Sequence, residues 1–215
     1  MATSYSNNLR LNLIGTGDQA GVWGTTTNLN LGTLIEEAIA GVIAVPVTSA
    51  LQALTAYDGV TDQARQAVLS LTGTPGATAT VCLPPADKTY IIKNNTNQIV
   101  VISAATALNG TTLTGGTTVA IPIGKTTIVI CDGTNVQGGV DYIPNDLSVL
   151  GSGTFSGNGA FGGTGSLKLP TGTTAERLGT GIRFNTSTNT YEGYNINTAT
   201  WGEIGGGGGG ATGGG

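Results

Sequence analysis

Histidine is absent from this 215-residue chain. That removes the commonest general base, the commonest metal ligand and the usual pH switch. Ser-His-Asp and Cys-His catalytic arrangements are excluded with it. Charge is scarce too: 9% of residues, against about 25% in an ordinary soluble domain. The eight Lys and Arg are scattered, so no basic stripe exists to neutralise phosphates, and nucleic acid is not an expected partner. No run approaches the roughly 20 apolar residues of a spanning helix, and no membrane partner is expected. The N-terminus (Ser4, Asn7, Asn8) carries no basic start followed by an apolar stretch, so assembly in a cytoplasm is expected. Aromatics make up only 5%, which leaves few platforms for sugar rings. Two cysteines, Cys82 and Cys131, sit in apolar runs that read as strands. In a reducing compartment they are expected as buried free thiols, the alternative being a bridge between two sheets.

Glycine is abundant instead, with 37 residues, and polarity comes from Thr, Asn and Ser. Such a composition favours strands and turns. A net charge of −4 and 39% hydrophobic residues argue against general disorder.

Five segments follow from the patterning. Residues 1–45 begin with Leu9, Leu11 and Leu13 alternating with polar neighbours, as in a strand. A helix is expected next, capped by Asn30, with Leu31, Leu34, Ile35, Ala38 and Ile39 on one face and Gly41 and Pro46 closing it. About three turns are marginal alone in water, so the stripe must pack on something. Residues 46–143 show short apolar runs at Ser49–Ala56, Ala67–Thr72, Ala79–Leu83, Thr89–Lys93, Gln98–Ser103, Thr117–Ile121, Thr126–Cys131 and Asn135–Val140. Turn residues separate them, including Asp58-Gly59, Asn109-Gly110, Gly124-Lys125 and Asp132-Gly133. Asx-Gly pairs between apolar runs are strong hairpin signals. The expected fold is mainly β: an antiparallel, jelly-roll-like β-sandwich with a short N-terminal helix module. Residues 144–165 are glycine-rich and read as a linker or a trimeric shaft. Residues 166–204 read as a β-hairpin module, with Ile182, Phe184, Tyr191, Tyr194 and Trp201 as the densest aromatic cluster. Residues 205–215 are a glycine tail with no side chain to bury.

Motifs for chemistry are weak. Gly15-Thr16-Gly17-Asp18-Gln19-Ala20 matches a dinucleotide fingerprint on paper, but the following Trp23 and three threonines do not read as the helix that it needs. Gly124-Lys125-Thr126 lacks the upstream glycine of a phosphate loop, position 119 being Val119, and reads as a hairpin turn. Asp58, Asp62, Asp87, Asp132 and Asp141 are the carboxylates available for glycan hydrolysis, and most occupy Asx-turn positions. Asn94-Asn95-Thr96 and Asn109-Gly110-Thr111 read as exposed loops. No catalytic residue, cofactor or metal site is expected.

Two stretches carry a resemblance. LNLIGTGDQAGVWGTTTNLNLGTLIEEAIAG (11–41) resembles the N-terminal module of bacteriophage tail-fibre-like virion proteins. SLKLPTGTTAERLGTGIRFNTSTNTYEGYNINTATWGEI (166–204) is similar to a module near the end of such proteins, its core being LPTGTTAER, IRFNT, YEGYN and W. The resemblance implies a homotrimer that is not an enzyme, a virion location, and other tail or capsid proteins as partners, with a host surface glycan as a further one. A capsid decoration or head-fibre protein is the alternative, and a carbohydrate-binding or -degrading spike a more distant one. The expected assembly interface comprises Trp23, Leu31, Leu34, Ile35, Ala38 and Ile39 near the N-terminus and Ile182, Phe184, Tyr191, Tyr194 and Trp201 near the C-terminus.

Overall fold

A computed structural model describes residues 4–140, 169, 171–177 and 181–204. The chain divides into two compact units, Met1–Leu147 and Ser148–Gly215. The glycine-rich segment 144–165 and the tail 205–215 lie outside the described residues.

The chain is mainly β, with several sheets and one short helical segment. In the first unit, β1 (Ser4–Tyr5) and β2 (Asn12–Leu13) form an antiparallel pair. The strand expected from Leu9 to Leu13 is cut short because Arg10 adopts a left-handed φ of 53°. The helical segment starts earlier than its apolar stripe. It runs through α1 (Trp23–Leu29), a π-helical stretch Asn30–Ile35 and α2 (Glu36–Ala40). Asn30 is therefore no N-cap. Its side chain instead holds the backbone of β2, accepting from the N–H of Asn12 at 3.2 Å and donating to the Asn12 carbonyl at 2.8 Å.

The strands that follow are β3 (Val42–Pro46), β4 (Leu51–Ala53), β5 (Val68–Thr72), β6 (Ala79–Leu83), β7 (Asp87–Asn94), β8 (Val100–Ala104), β9 (Val119–Ile121), β10 (Thr126–Asp132) and β11 (Val136–Gly138). They build a five-stranded sheet, β11-β10-β7-β5-β3, and a four-stranded sheet, β4-β6-β8-β9. From β3 to β8 the chain changes sheet after every strand. A chain that crosses over and returns enters each sheet in the same direction as before. The pairs β3/β5, β5/β7, β4/β6 and β6/β8 are accordingly parallel. Only β8/β9, β7/β10 and β10/β11 are antiparallel here. The antiparallel, jelly-roll-like expectation is corrected on this point. Most of the turns are corners between sheets, and Gly124-Lys125 is one of them, joining β9 to β10. Asp132-Gly133 is a true hairpin, joining β10 to β11. The strand β3 was not anticipated, because Pro46 was taken only as the end of a helix. It also crosses the boundary expected at residue 45.

One hydrophobic core draws on both sheets. Val45, Leu69, Leu71, Tyr90, Ile92, Val129 and Val136 come from the five-stranded sheet, and Val81, Leu83, Val100, Ile102 and Ile121 from the other. Cys82 and Cys131 are buried and unbridged, and burial raises both thiols above their ordinary range. The corners need special residues. Gly73 has φ +108°, and a Cβ there would lie 2.7 Å from the Val47 carbonyl oxygen, so only glycine fits. Asn94 was expected in an exposed loop but is fully buried. Its amide nitrogen donates to the carbonyls of Gln98 and Ile121, each at 2.8 Å, and its oxygen accepts from the Thr96 N–H at 3.0 Å and hydroxyl at 2.7 Å. All four of its bonding positions are used.

The second unit contains β12 (Thr171–Gly172), β13 (Ile182–Asn185), β14 (Thr190–Asn195) and β15 (Thr200–Glu203) in that sheet order. The expected hairpin is β13/β14, turning through Asn189 at φ 59°. The parallel β12 extends it on one side and the Trp201 strand, β15, on the other.

Asn94→Ala should lower the stability of the first unit by about 3 kcal/mol, since it orphans buried backbone carbonyls. Denaturant unfolding measures this directly. A loss under 1 kcal/mol would mean that the corner is held by other contacts.

Candidate assembly surfaces

The helical stripe expected to act as one interface is divided by the structure. Leu34 is fully buried within its own unit, and Ile35 and Ala38 are half-buried. Trp23, Leu31 and Ile39 are 61%, 60% and 75% exposed. The reason is the π-helical stretch, which carries more residues per turn than the α-helical wheel used to read the stripe. The segment is also sewn to the sheet beyond it. Ala67 donates to the Glu37 carbonyl at 3.1 Å and Val68 to the Gly41 carbonyl at 2.9 Å.

A second apolar surface was not anticipated. The register aligns Val42, Val68, Ile91 and Ile128 across four strands of the five-stranded sheet. They lie on its outer face, since the alternating Tyr90, Ile92 and Val129 are buried. Val42, Ile91 and Ile128 are exposed, as is Ile130 two residues further along β10. The signal for it was in the runs Tyr90-Ile91-Ile92 and Ile128-Val129-Ile130, which are apolar on both faces rather than one. Contiguous exposed apolar patches mark interaction sites more often than scattered residues do.

In the second unit the five expected interface residues fall on two faces. Phe184 and Tyr191 stack edge to face with centroids 5.1 Å apart, and Ile182 shares their side of the sheet by alternation. Tyr194 and Trp201 pair at 5.7 Å on the opposite side. That second side also carries Arg183, Asn185 and Glu192, all buried. The Glu192 carboxylate accepts from Arg177 Nε at 3.1 Å and from Asn185 Nδ2 at 2.9 Å, with Arg183 Nε 3.5 Å away. The hydrogen bonds from Arg177 lead in holding its pKa below the ordinary carboxylate value. Thr173 and Glu176 form a capping box on the short turn Thr174–Glu176, and Arg183 donates to the carbonyls of Thr173 and Glu176 at 3.0 and 2.8 Å. Among the described residues, no apolar side chain of this unit is fully buried. The buried side chains there are ionic or polar, and the described aliphatic and aromatic side chains face outward or lie half-covered.

The motifs with possible chemistry can be placed as well. A helix does follow Gly15–Ala20, beginning at Trp23, contrary to expectation. However, β2 before it pairs antiparallel with β1, and the parallel strand–helix–strand unit of a dinucleotide site is not formed there. Asp62 is buried in an ion pair with Arg65, and Asp132 accepts from the N–H groups of Thr134 and Asn135 as an Asx turn. Among the described residues, no three His, Cys, Asp or Glu side chains gather as metal ligands, and no helix is long and apolar enough to cross a membrane.

Leu34→Ala should cost about 3 kcal/mol of stability in the first unit. Leu31→Asp with Ile39→Asp should change it by less than about 0.5 kcal/mol while weakening self-association. Thermal melts and light scattering separate the two effects. For the second unit, the lowered Glu192 pKa means that its contribution is present above the ordinary Glu value of about 4.3. That contribution is lost as pH falls through the folded value. Fluorescence of Trp201 followed below pH 5 should report a transition that Glu192→Gln abolishes. Comparison of the chain with family models, curated proteins and solved structures returned no match.

Proposed function

We propose that this chain is a structural subunit of a bacteriophage particle: a trimeric tail-fibre component attached to the virion through its N-terminal residues. The resemblance of residues 11–41 and 166–204 to fibre-like virion proteins motivates the identity. The observation that carries the association is the second unit, which holds Glu192, Arg183 and Asn185 in its interior while Ile182 and Tyr191 stand exposed. A unit this small, with no apolar side chain fully buried among its described residues, gains from surface supplied by another chain. Symmetric copies supply it three times over.

The N-terminal surface fits the same reading. Trp23, Leu31 and Ile39 on the helix, and the Val42–Ile128 row on the sheet, offer two apolar faces whose covering does not depend on salt. One face serves neighbouring copies and the other a tail or capsid protein. A β-sandwich in such subunits is in keeping with a fold in which two sheets share one core.

Light scattering on the full chain at micromolar concentration tests this. Three copies per particle are expected. A monodisperse monomer would overturn the trimer. Electron microscopy of intact particles, with the chain labelled, should place it on the tail. Labels distributed over the head would favour the decoration reading.

A further inference from the structure

The end of the core nearest the N-terminal turn contains a cavity of about 20 Å³. Its lining includes Leu9, Asp62, Arg65, Lys88, Tyr90 and Leu108. A space of this size holds one water-sized group. The charges around it do not balance. Asp62 and Arg65 form an ion pair at 3.1 Å, each side chain 2% exposed. Arg10, also in the lining, is paired outward with Asp58. Lys88 has no carboxylate within ion-pair distance among the described residues. Its ammonium donates to the Gln66 carbonyl at 2.8 Å and lies 3.9 Å from the Tyr90 ring centroid. That leaves donor capacity unused, since an ammonium carries three N–H bonds. Arg65 gives its terminal nitrogens to the carbonyls of Leu9, Tyr57 and Val60 and to Asp62. Its Nε–H, however, is buried with no acceptor.

We propose that this cavity binds one small monovalent anion of halide size, held by the Lys88 ammonium and the Arg65 Nε–H.

The argument is one of charge and size. Asp62, Arg65 and Lys88 sum to one positive charge in a partly enclosed space. An unpaired charge held partly out of water is costly, and a neutral water would satisfy the Arg65 donor without offsetting the ammonium. A halide does both. The cost of the unmatched charge is already visible in Lys88. Burial pulls its pKa down to about 8, with Asp62 opposing the fall and Arg65 adding to it.

The test uses the full chain at pH 7 and constant ionic strength, replacing gluconate by chloride or bromide. The melting temperature of the first unit should rise by about 2–4 °C and saturate at millimolar halide. A general salt effect would instead grow linearly toward molar concentrations. Lys88→Met should lose the halide-dependent rise. Because that variant risks poor folding, anomalous scattering from bromide-soaked crystals of the unaltered protein gives a second reading, with a peak beside Lys88 and Arg65. Equal melting in gluconate and chloride, or a crystal with only water in the cavity, would overturn the proposal.

Discussion

A chain that crosses from one sheet to the other after each strand must bury the backbone of its corners. Every peptide group there has to find a partner without a ladder neighbour to supply it. The first unit solves this with a few buried polar side chains. Asn94 acts as four hydrogen-bonding groups at one corner. Arg65 does so at the other end, gathering carbonyls from the N-terminal turn and from the loop between β4 and β5. The ion pair with Asp62 stabilises that guanidinium in place. The core can be largely apolar because most of the polar requirements are concentrated at its ends.

The second unit inverts this arrangement. Among its described residues, the buried side chains are Glu192, Arg183 and Asn185, and its apolar side chains are exposed or half-covered. A buried ionic network contributes little net stability, though it specifies geometry when fully bonded. The two units therefore differ in kind. The first stands on its own core, while the described part of the second is shaped by charge.

Much of this was legible in the sequence. Seven of the nine strands β3–β11 overlap an expected run closely, because period-two alternation and turn residues report on local conformation. β4 is shorter than its run, and β3 was missed. The hairpin β13/β14 was legible for the same reason, as were the buried free thiols. Pairing direction was not, since it depends on which strands become neighbours. The same Gly or Asn turn serves a hairpin or a corner between sheets. The helix face was misassigned at Leu31, Leu34 and Ile39 because the π-helical stretch alters the angular step between residues. The buried network around Glu192 carried no signal beyond scattered charges, as its members come from three separate segments.

The alternation of sheets also constrains how such a chain can change over evolutionary time. Each full coil adds one strand to each sheet, so strands from β3 to β8 come in pairs. Insertion or loss of a single strand would send every later strand into the opposite sheet and turn its apolar residues outward. Gain or loss of two strands would merely lengthen or shorten both sheets by 4.7–4.9 Å, about one strand spacing. Length variation among descendants of this chain should therefore be quantised in even steps, while the corners between strands remain free to drift residue by residue.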